Sequence, residues 1–271
     1  MGHAISAVGR TSEVEATAIA GLRRTSTPVH DLELVEDDGT WPALADALSR
    51  SFAAPRILPA DHETSLASLL QLQVGARSPL GAIALNSGGI LLYDGWLRIF
   101  GGSPCPALAL PSIGQVNGFP VPLDRTWTPT QGLIVAHDVL GGVYLLNGLR
   151  PGAGRPGVPG EVIYFDPATV SWTRMRMSHS EWLAWCVSGD LPRFYEGLLW
   201  PGWRDDVLAL RADQGIAVSP ALGESAVADG HGTRTVVAMA DLLDEHCVAA
   251  QRRGRRLDGA LGRYPAGLIP G

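Results

Sequence analysis

The sequence contains no lysine, so its 21 basic residues are all arginine. A Walker phosphate-binding loop needs a lysine, and this class of nucleotide site is therefore excluded. Cysteine is scarce too, because Cys105, Cys186 and Cys247 lie far apart and have no zinc-ligand spacing. This sparse, odd number predicts a chain without a disulfide framework or a metal site, in a reducing compartment.

Long apolar segments and an excess of positive charge are also missing. The uncharged run from Ser78 to Tyr93 contains Asn86 and three glycines, and it is too short and too polar to cross a membrane. The N-terminal region holds no apolar segment of signal-peptide length, so we expect a cytoplasmic protein. The net charge of -6 argues against nucleic acid and an anionic membrane as partners.

The chain is long enough for one large domain with a full core. Its 271 residues are 46% hydrophobic and 18% charged, which is typical of a globular protein. Residues 1–36 lack apolar periodicity, and we predict a disordered extension there. Residues 37–252 are predicted to form a single α+β domain. Residues 253–271, rich in arginine and glycine, are predicted to form a flexible tail.

Helix starts are indicated by capping residues. Thr40 is predicted to cap a helix whose apolar face extends to Phe52, and Asp61 to cap a second helix. Ser178 and Glu181 have the spacing of a capping box, so a further helix is predicted there. A last helix is predicted from residue 241 to about residue 251.

Short apolar runs separated by turn residues predict a meander of strands, most of them antiparallel. The predicted strands are 82–85, 90–93, 96–100, 133–137, 143–146, 161–165, 172–175 and 235–239. Together with the helices, they predict an α+β fold in which helices pack on a mainly antiparallel sheet.

Residues 88–95 and 141–148 are almost the same octet. Each begins with a glycine pair, continues with four apolar residues and ends in Asp-Gly or Asn-Gly. Asp-Gly between apolar runs favours a type I′ hairpin turn, because both central positions need positive φ. We interpret the octets as two strands of one sheet with similar turns. The predicted turn glycines are Gly88, Gly89, Gly95, Gly141, Gly142 and Gly148.

The segment Gly152 to Gly157 matches a dinucleotide-binding pattern. That pattern must open a helix, so that the pyrophosphate lies at the helix N-terminus. Here a predicted strand follows instead, so we expect no cofactor.

A small acid–base cluster is one candidate site. His137 and Asp138, with Asp94, Glu161 and His179, would form it if the strands brought them together. A catalytic cluster of His137, Asp138 and Glu161 would indicate an enzyme or a small-molecule binder. Alternatively, Asp94 and Asp138 are turn residues at strand ends, where aspartate bonds its own backbone.

Aromatic residues are the second candidate. Trp182 and Trp185 are three apart on a predicted helix and face one way, and Trp203 follows a Pro-Gly turn. With Asp94 and Asp138, these tryptophans are the candidate binding residues for a partner or a ligand. The alternative, which the sequence favours, is that the tryptophans cover the sheet as core.

Several longer motifs resemble a bacterial family known only as domain of unknown function 2625. They are residues 77–84, 88–99, 138–148, 161–167 and 200–203, and the resemblance extends from about Trp41 to the last predicted helix. This family supplies no catalytic residues.

A looser pattern is similar to the SUKH (Smi1/Knr4-like) superfamily. It comprises Asp138, Gly141, Gly142, Asn147 and the helix start at 178–182. The resemblance implies a SUKH-like α+β adaptor without catalysis, as in immunity proteins that bind toxins.

The sequence therefore predicts a non-catalytic interaction module whose partner is another protein. The alternative is an enzyme or ligand binder. An enzyme would bring titratable groups together in a cleft, whereas an interaction module would expose an apolar or acidic patch.

Overall fold

The computed structural model describes residues 31–219 and 232–265. Its main element is a seven-stranded sheet in which the strands follow one another in chain order and every neighbouring pair is antiparallel. The strands are β1 Arg56–Leu58, β2 Gly89–Leu92, β3 Leu97–Phe100, β4 Gly132–Asp138, β5 Val143–Asn147, β6 Val162–Asp166 and β7 Ser171–Met177. The predicted α+β class, with a mainly antiparallel sheet, is confirmed.

Helices and one extra hairpin surround this sheet. The helices are α1 Asp31–Val35, α2 Thr40–Ser49, α3 His62–Leu72, α4 Pro79–Asn86, α5 Ile113–Asn117, α6 His179–Val187, α7 Asp190–Tyr195, α8 Trp203–Leu208 and α9 Met239–Arg252. Strands β8 Gln214–Ser219 and β9 Thr233–Ala238 pair with each other. The hairpin is joined to the end of β4, because the Ile216 amide donates to the Val139 carbonyl over 2.7 Å.

The predicted caps are present at two helix starts. Asp61 accepts a hydrogen bond from the Thr64 amide, and Ser178 forms a reciprocal capping box with Glu181. Each bond satisfies an amide that has no partner within the helix, and such a cap contributes about 1 kcal/mol.

Successive side chains of a strand point to opposite faces, which divides the sheet into two buried surfaces. One carries Asp138, Tyr144 and Tyr164; we call it the helix face, because α6 and α7 cover it. The other carries Arg98 and His137, and we call it the arginine face. The residues after α9 pack on the arginine face, where Gly262 and Tyr264 contact His137.

The two octets contribute β2 and β5 of the same sheet, as predicted, but their turns differ. Asp94 (φ 57°) and Gly95 (φ 93°) are the central residues of a tight turn, closed by a bond from the Trp96 amide to the Tyr93 carbonyl. No tight turn follows the second octet, because a long loop connects β5 to β6. Positive φ occurs at Gly89, Gly95 and Gly141. Backbone carbonyls lie close to Gly88 and Gly148, and the side chains of Asp138 and Tyr164 lie close to Gly142.

Two local predictions are wrong. Residues 82–85 are part of α4 and not a strand, because Ser78 caps that helix and Pro79 occupies its first turn. Four apolar residues fit a buried helix as well as a strand, so the pattern was ambiguous. Phe52 lies beyond the end of α2 and is 87% exposed, because the helix stops at Ser49.

The predicted domain boundaries also need correction. Residues 1–30 and 266–271 lie outside the described residues, so the predicted extension and tail are described only in part. Leu34 is buried, and its carbonyl accepts from the Ala76 amide, so the folded region already includes α1. Leu261 is 1% exposed, and this part of the predicted flexible tail belongs to the core.

Candidate functional site

The three residues of the predicted catalytic cluster do not come together. His137 and Asp138 are consecutive in β4, and their side chains therefore lie on the arginine face and the helix face. Asp138 lies beside Gly142, whereas Glu161 bonds Asn147 at the other end of β5. Five residues of strand separate these positions, which is about 17 Å. The hypothesis of one His137, Asp138 and Glu161 site is therefore wrong.

Asp138 is the centre of a buried network on the helix face. Its Oδ1 accepts from the amides of Leu140 (2.9 Å) and Gly142 (2.8 Å). Its Oδ2 accepts from the hydroxyls of Tyr164 (2.8 Å) and Tyr195 (3.1 Å). Asp138 thus has the predicted turn role, and it also links the sheet to α7.

Burial dominates the electrostatics of this network. Desolvation raises the pKa of Asp138, against the lowering effect of the hydrogen bonds from Tyr164 and Gly142. Burial also places the pKa of Tyr164 and Tyr195 well above the usual value for tyrosine. The described residues around the carboxylate leave it 0% exposed, so this network bridges elements and does not face a substrate.

His137 has a separate environment on the arginine face. Its Nδ1 lies 3.0 Å from the Tyr264 hydroxyl, and its ring meets Phe100 edge-on at 5.1 Å. Burial lowers the pKa of His137 to about 3, so the imidazole is neutral at physiological pH. Because His137 is neutral and buried beneath Tyr264, it cannot exchange protons with solvent.

Glu161 forms an ion pair near the edge of the sheet. Its Oε1 accepts from Nε of Arg174 (2.9 Å) and its Oε2 from Nη2 of the same residue (2.6 Å). The Arg176 amide also donates to Oε1 at 2.9 Å. The hydrogen bonds from Arg174 lower the pKa of Glu161, so the group is a bound carboxylate and not a proton carrier.

Most of the candidate binding tryptophans are core residues. Trp182 is 0% exposed against Tyr144, and Trp203 is 7% exposed between Tyr93 and Trp96. Neither indole can meet a partner while the fold is intact, so their predicted contact role is corrected. Trp185 is partly buried and rests edge-on against Phe194 at 5.3 Å.

The remaining candidates take ordinary positions. Asp94 accepts from Nε of Arg204 at 3.0 Å, which places its carboxylate in a surface ion pair. The glycine-rich segment 152–157 is a loop that leads into β6, with Gly154 packed on Arg256.

In the two described ranges, no group of three or more His, Cys, Asp or Glu side chains is arranged to hold a metal ion. Among the described helices, none is long and apolar enough to cross a membrane.

A surface groove was missed by the sequence reasoning. It has a volume of about 630 Å³ and lies between α3 and the loop that contains Phe119 and Val121, and Tyr264 also lines it. Val121 is 95% exposed and Leu123 42% exposed. The only available signal was the apolar run Phe119 to Leu123 in a proline-rich loop. We call this feature the apolar groove.

Comparison with known proteins gives a family but no activity. The sequence profile of the family described as "Protein of unknown function DUF2625" matches residues 31–242. The chain is 33% identical over 208 residues to "Putative uncharacterized protein YbfG" of Escherichia coli strain K12, covering 77% of this chain and 90% of that protein.

An "Uncharacterized protein" of Haemophilus influenzae is 29% identical over 203 residues, covering 75% of this chain and 82% of that protein. No solved structure matches this chain significantly. The predicted resemblance to domain of unknown function 2625 is confirmed, whereas the SUKH resemblance has no support among these matches. The chain belongs to the family of proteins of unknown function DUF2625.

Proposed function

We propose that this chain is a non-catalytic protein-interaction module that binds a segment of another protein in the apolar groove. The observation that carries the proposal is the exposure of Val121 and Leu123 beside a preformed groove. Exposed apolar surface along a groove is typical of protein-binding sites.

The positions of the titratable residues argue against the enzyme alternative. General acid–base catalysis needs groups that reach one reacting centre. His137, Asp138 and Glu161 are buried in three places and are held by Tyr264, by two tyrosines and by Arg174. Each has a partner that accounts for its position without a substrate.

The composition of the groove indicates the chemistry of its partner. Phe119, Val121 and Leu123 provide an apolar wall, and Thr64 and Gln115 provide polar atoms at the border. Among the described residues that line the groove, Arg263 is the only charged one. We therefore expect an extended apolar segment with an acidic residue near Arg263. We propose no toxin as the partner, because that role was implied only by the SUKH resemblance.

The test combines crosslinking with reconstitution. A photoreactive phenylalanine analogue at position 121 should crosslink to a second polypeptide in cells, and mass spectrometry identifies it. With that protein purified, Val121→Asp should weaken its binding at least tenfold, because a carboxylate would be desolvated in an apolar interface. Isothermal titration calorimetry measures the change.

Val158 provides the matched control, because it is 57% exposed and lies in a different loop. Val158→Asp should bind the partner with unchanged affinity. Equal losses in both variants would contradict a role for the groove, as would crosslinks from position 121 to this chain alone. A small molecule whose turnover requires the purified protein would favour the enzyme instead.

A further inference from the structure

A row of cationic side chains crosses the arginine face near the first edge of the sheet. Arg56 pairs with Leu91 in the register, Leu91 pairs with Arg98, and Arg98 pairs with His137. Directly paired residues share a face, so Arg56 and Arg98 project from the same surface on either side of Leu91. Strands are about 4.8 Å apart, so the two arginine backbones are separated by about 10 Å.

Arg98 is a buried cation without a carboxylate partner. The residue is 2% exposed. Its Nε donates to the Gly95 carbonyl, and its Nη1 donates to the carbonyls of Ala212 and Gln214. Nη2 has no hydrogen bond within the described residues. Burial lowers the pKa of Arg98, because its charge is removed from water. Buried charges are normally paired, so this guanidinium has unused capacity for an anion.

A pocket of about 230 Å³ lies beside this row, and both Arg56 and Arg98 line it. The Arg56 side chain is exposed and makes no ion pair or hydrogen bond to the described residues. Asp94 also lines the pocket, but its carboxylate accepts from Arg204. The apolar wall includes Leu91, Leu108, Val207, Leu208 and Leu210.

We propose that this pocket binds a short-chain aliphatic carboxylate, whose carboxylate is held by the guanidinium groups of Arg98 and Arg56. Nη2 of Arg98 donates to one carboxylate oxygen, and the exposed guanidinium of Arg56 presents the parallel donors that match both oxygens. The leucine and valine wall receives the hydrocarbon chain, which distinguishes the ligand from inorganic phosphate. This site goes beyond the proposed protein binding, since it lies on another part of the surface and uses none of the groove residues.

Hexanoate is the probe, and NMR chemical shifts of the full chain report binding at Gly95 and Ala212. We expect saturable shifts with hexanoate and at least tenfold weaker binding of hexanamide, which has the same shape without the charge. Inorganic phosphate should also bind at least tenfold more weakly. Comparable affinities for hexanoate and hexanamide, or for hexanoate and phosphate, would overturn the proposal.

Variants test the residues without relying on Arg98, whose replacement removes bonds to the β8 region. Arg56→Gln should weaken hexanoate binding about tenfold, and Leu208→Glu should abolish it by supplying a competing carboxylate. Leu208 is 64% exposed, so the fold should tolerate this change. Arg193→Gln on α7 is the control, with a side chain that is 80% exposed. Equal affinity in Arg56→Gln and the control would refute the site, while Val121→Asp should leave hexanoate binding unchanged.

Discussion

At the scale of single residues, Gly142 shows how closely the Asp138 network is packed. A Cβ at this position would lie 2.1 Å from Oδ2 of Asp138 and 2.3 Å from the Tyr164 hydroxyl. Its φ is not in the left-handed region, so the requirement for glycine comes from space and not from backbone conformation. The neighbouring carboxylate accepts four hydrogen bonds, so it cannot move aside without breaking some of them.

Gly142→Ala should therefore destabilise the protein by about 2 kcal/mol or more, through overpacking and lost hydrogen bonds. Chemical denaturation measures the free energy of unfolding. Gly197→Ala is the matched control, because no atom lies within 4 Å of its Cβ position and its φ is not in the left-handed region. We expect the control to differ from the wild type by less than about 0.5 kcal/mol. Similar free energies of unfolding for the two variants would show that the Asp138 network rearranges at little cost.

At the scale of elements, the segment after α9 is part of the fold despite its lack of regular structure. Leu261 is buried, and the Arg263 amide donates to the Val116 carbonyl over 3.0 Å. Tyr264 covers His137 and also lines the apolar groove. The segment thus joins α5 to the arginine face, and it has no counterpart in a periodic sequence pattern.

A chain that ends at Arg256 should be less stable than one that ends at Pro265 by about 3 kcal/mol or more. The loss combines the burial of Leu261, worth about 2 kcal/mol, with the packing of Tyr264 on His137. Thermal and urea denaturation of the two truncated proteins measure the difference. Equal unfolding midpoints would support the prediction of a flexible tail.

At the scale of the whole molecule, pH should affect stability through histidines that are buried in the neutral form. Burial lowers the pKa of His179 from 6.5 to about 4, and neither ring nitrogen has a hydrogen-bond partner in the described part of the chain. Below pH 6.5 His179 is protonated in the unfolded chain but stays neutral in the folded protein. The free energy of unfolding therefore decreases as the pH falls towards 4. His137 acts in the same direction, whereas the raised pKa of Asp138 acts in the opposite one.

His179→Phe should remove part of this pH dependence. Wild-type stability should fall more between pH 7 and pH 4 than that of the variant, by about 3 kcal/mol at most. At pH 7 the variant should be at least as stable, because a Phe ring can contact Trp182 as the His179 ring does, without burying unpaired nitrogens. Urea unfolding at both pH values measures the two slopes. Parallel slopes would mean that His179 does not titrate as its burial requires.

The local elements could be predicted because their causes are local. Asp61 and Ser178 bond amides three residues away, and Asp94 with Gly95 forms a turn that depends on their own backbone conformation. The hairpins β2–β3, β4–β5 and β6–β7 follow from the same information, since short turns oblige the two strands they join to pair antiparallel. The longer connections between these hairpins do not determine how the hairpins are ordered in the sheet. The glycine-rich segment 152–157 leads into a strand and not a helix, as the sequence predicted.

The candidate sites depended on contacts between distant parts of the chain, which no local pattern contains. The alternation of β4 separates His137 from Asp138, and α6 and α7 bury Trp182 by packing on the helix face. The pairing of three strands places Arg56 and Arg98 beside one pocket. By itself, the sequence determined the caps at Asp61 and Ser178, most of the strands and the fold class. Only the tertiary structure decided which polar groups meet and which aromatic rings remain exposed, because burial and proximity arise when whole elements pack.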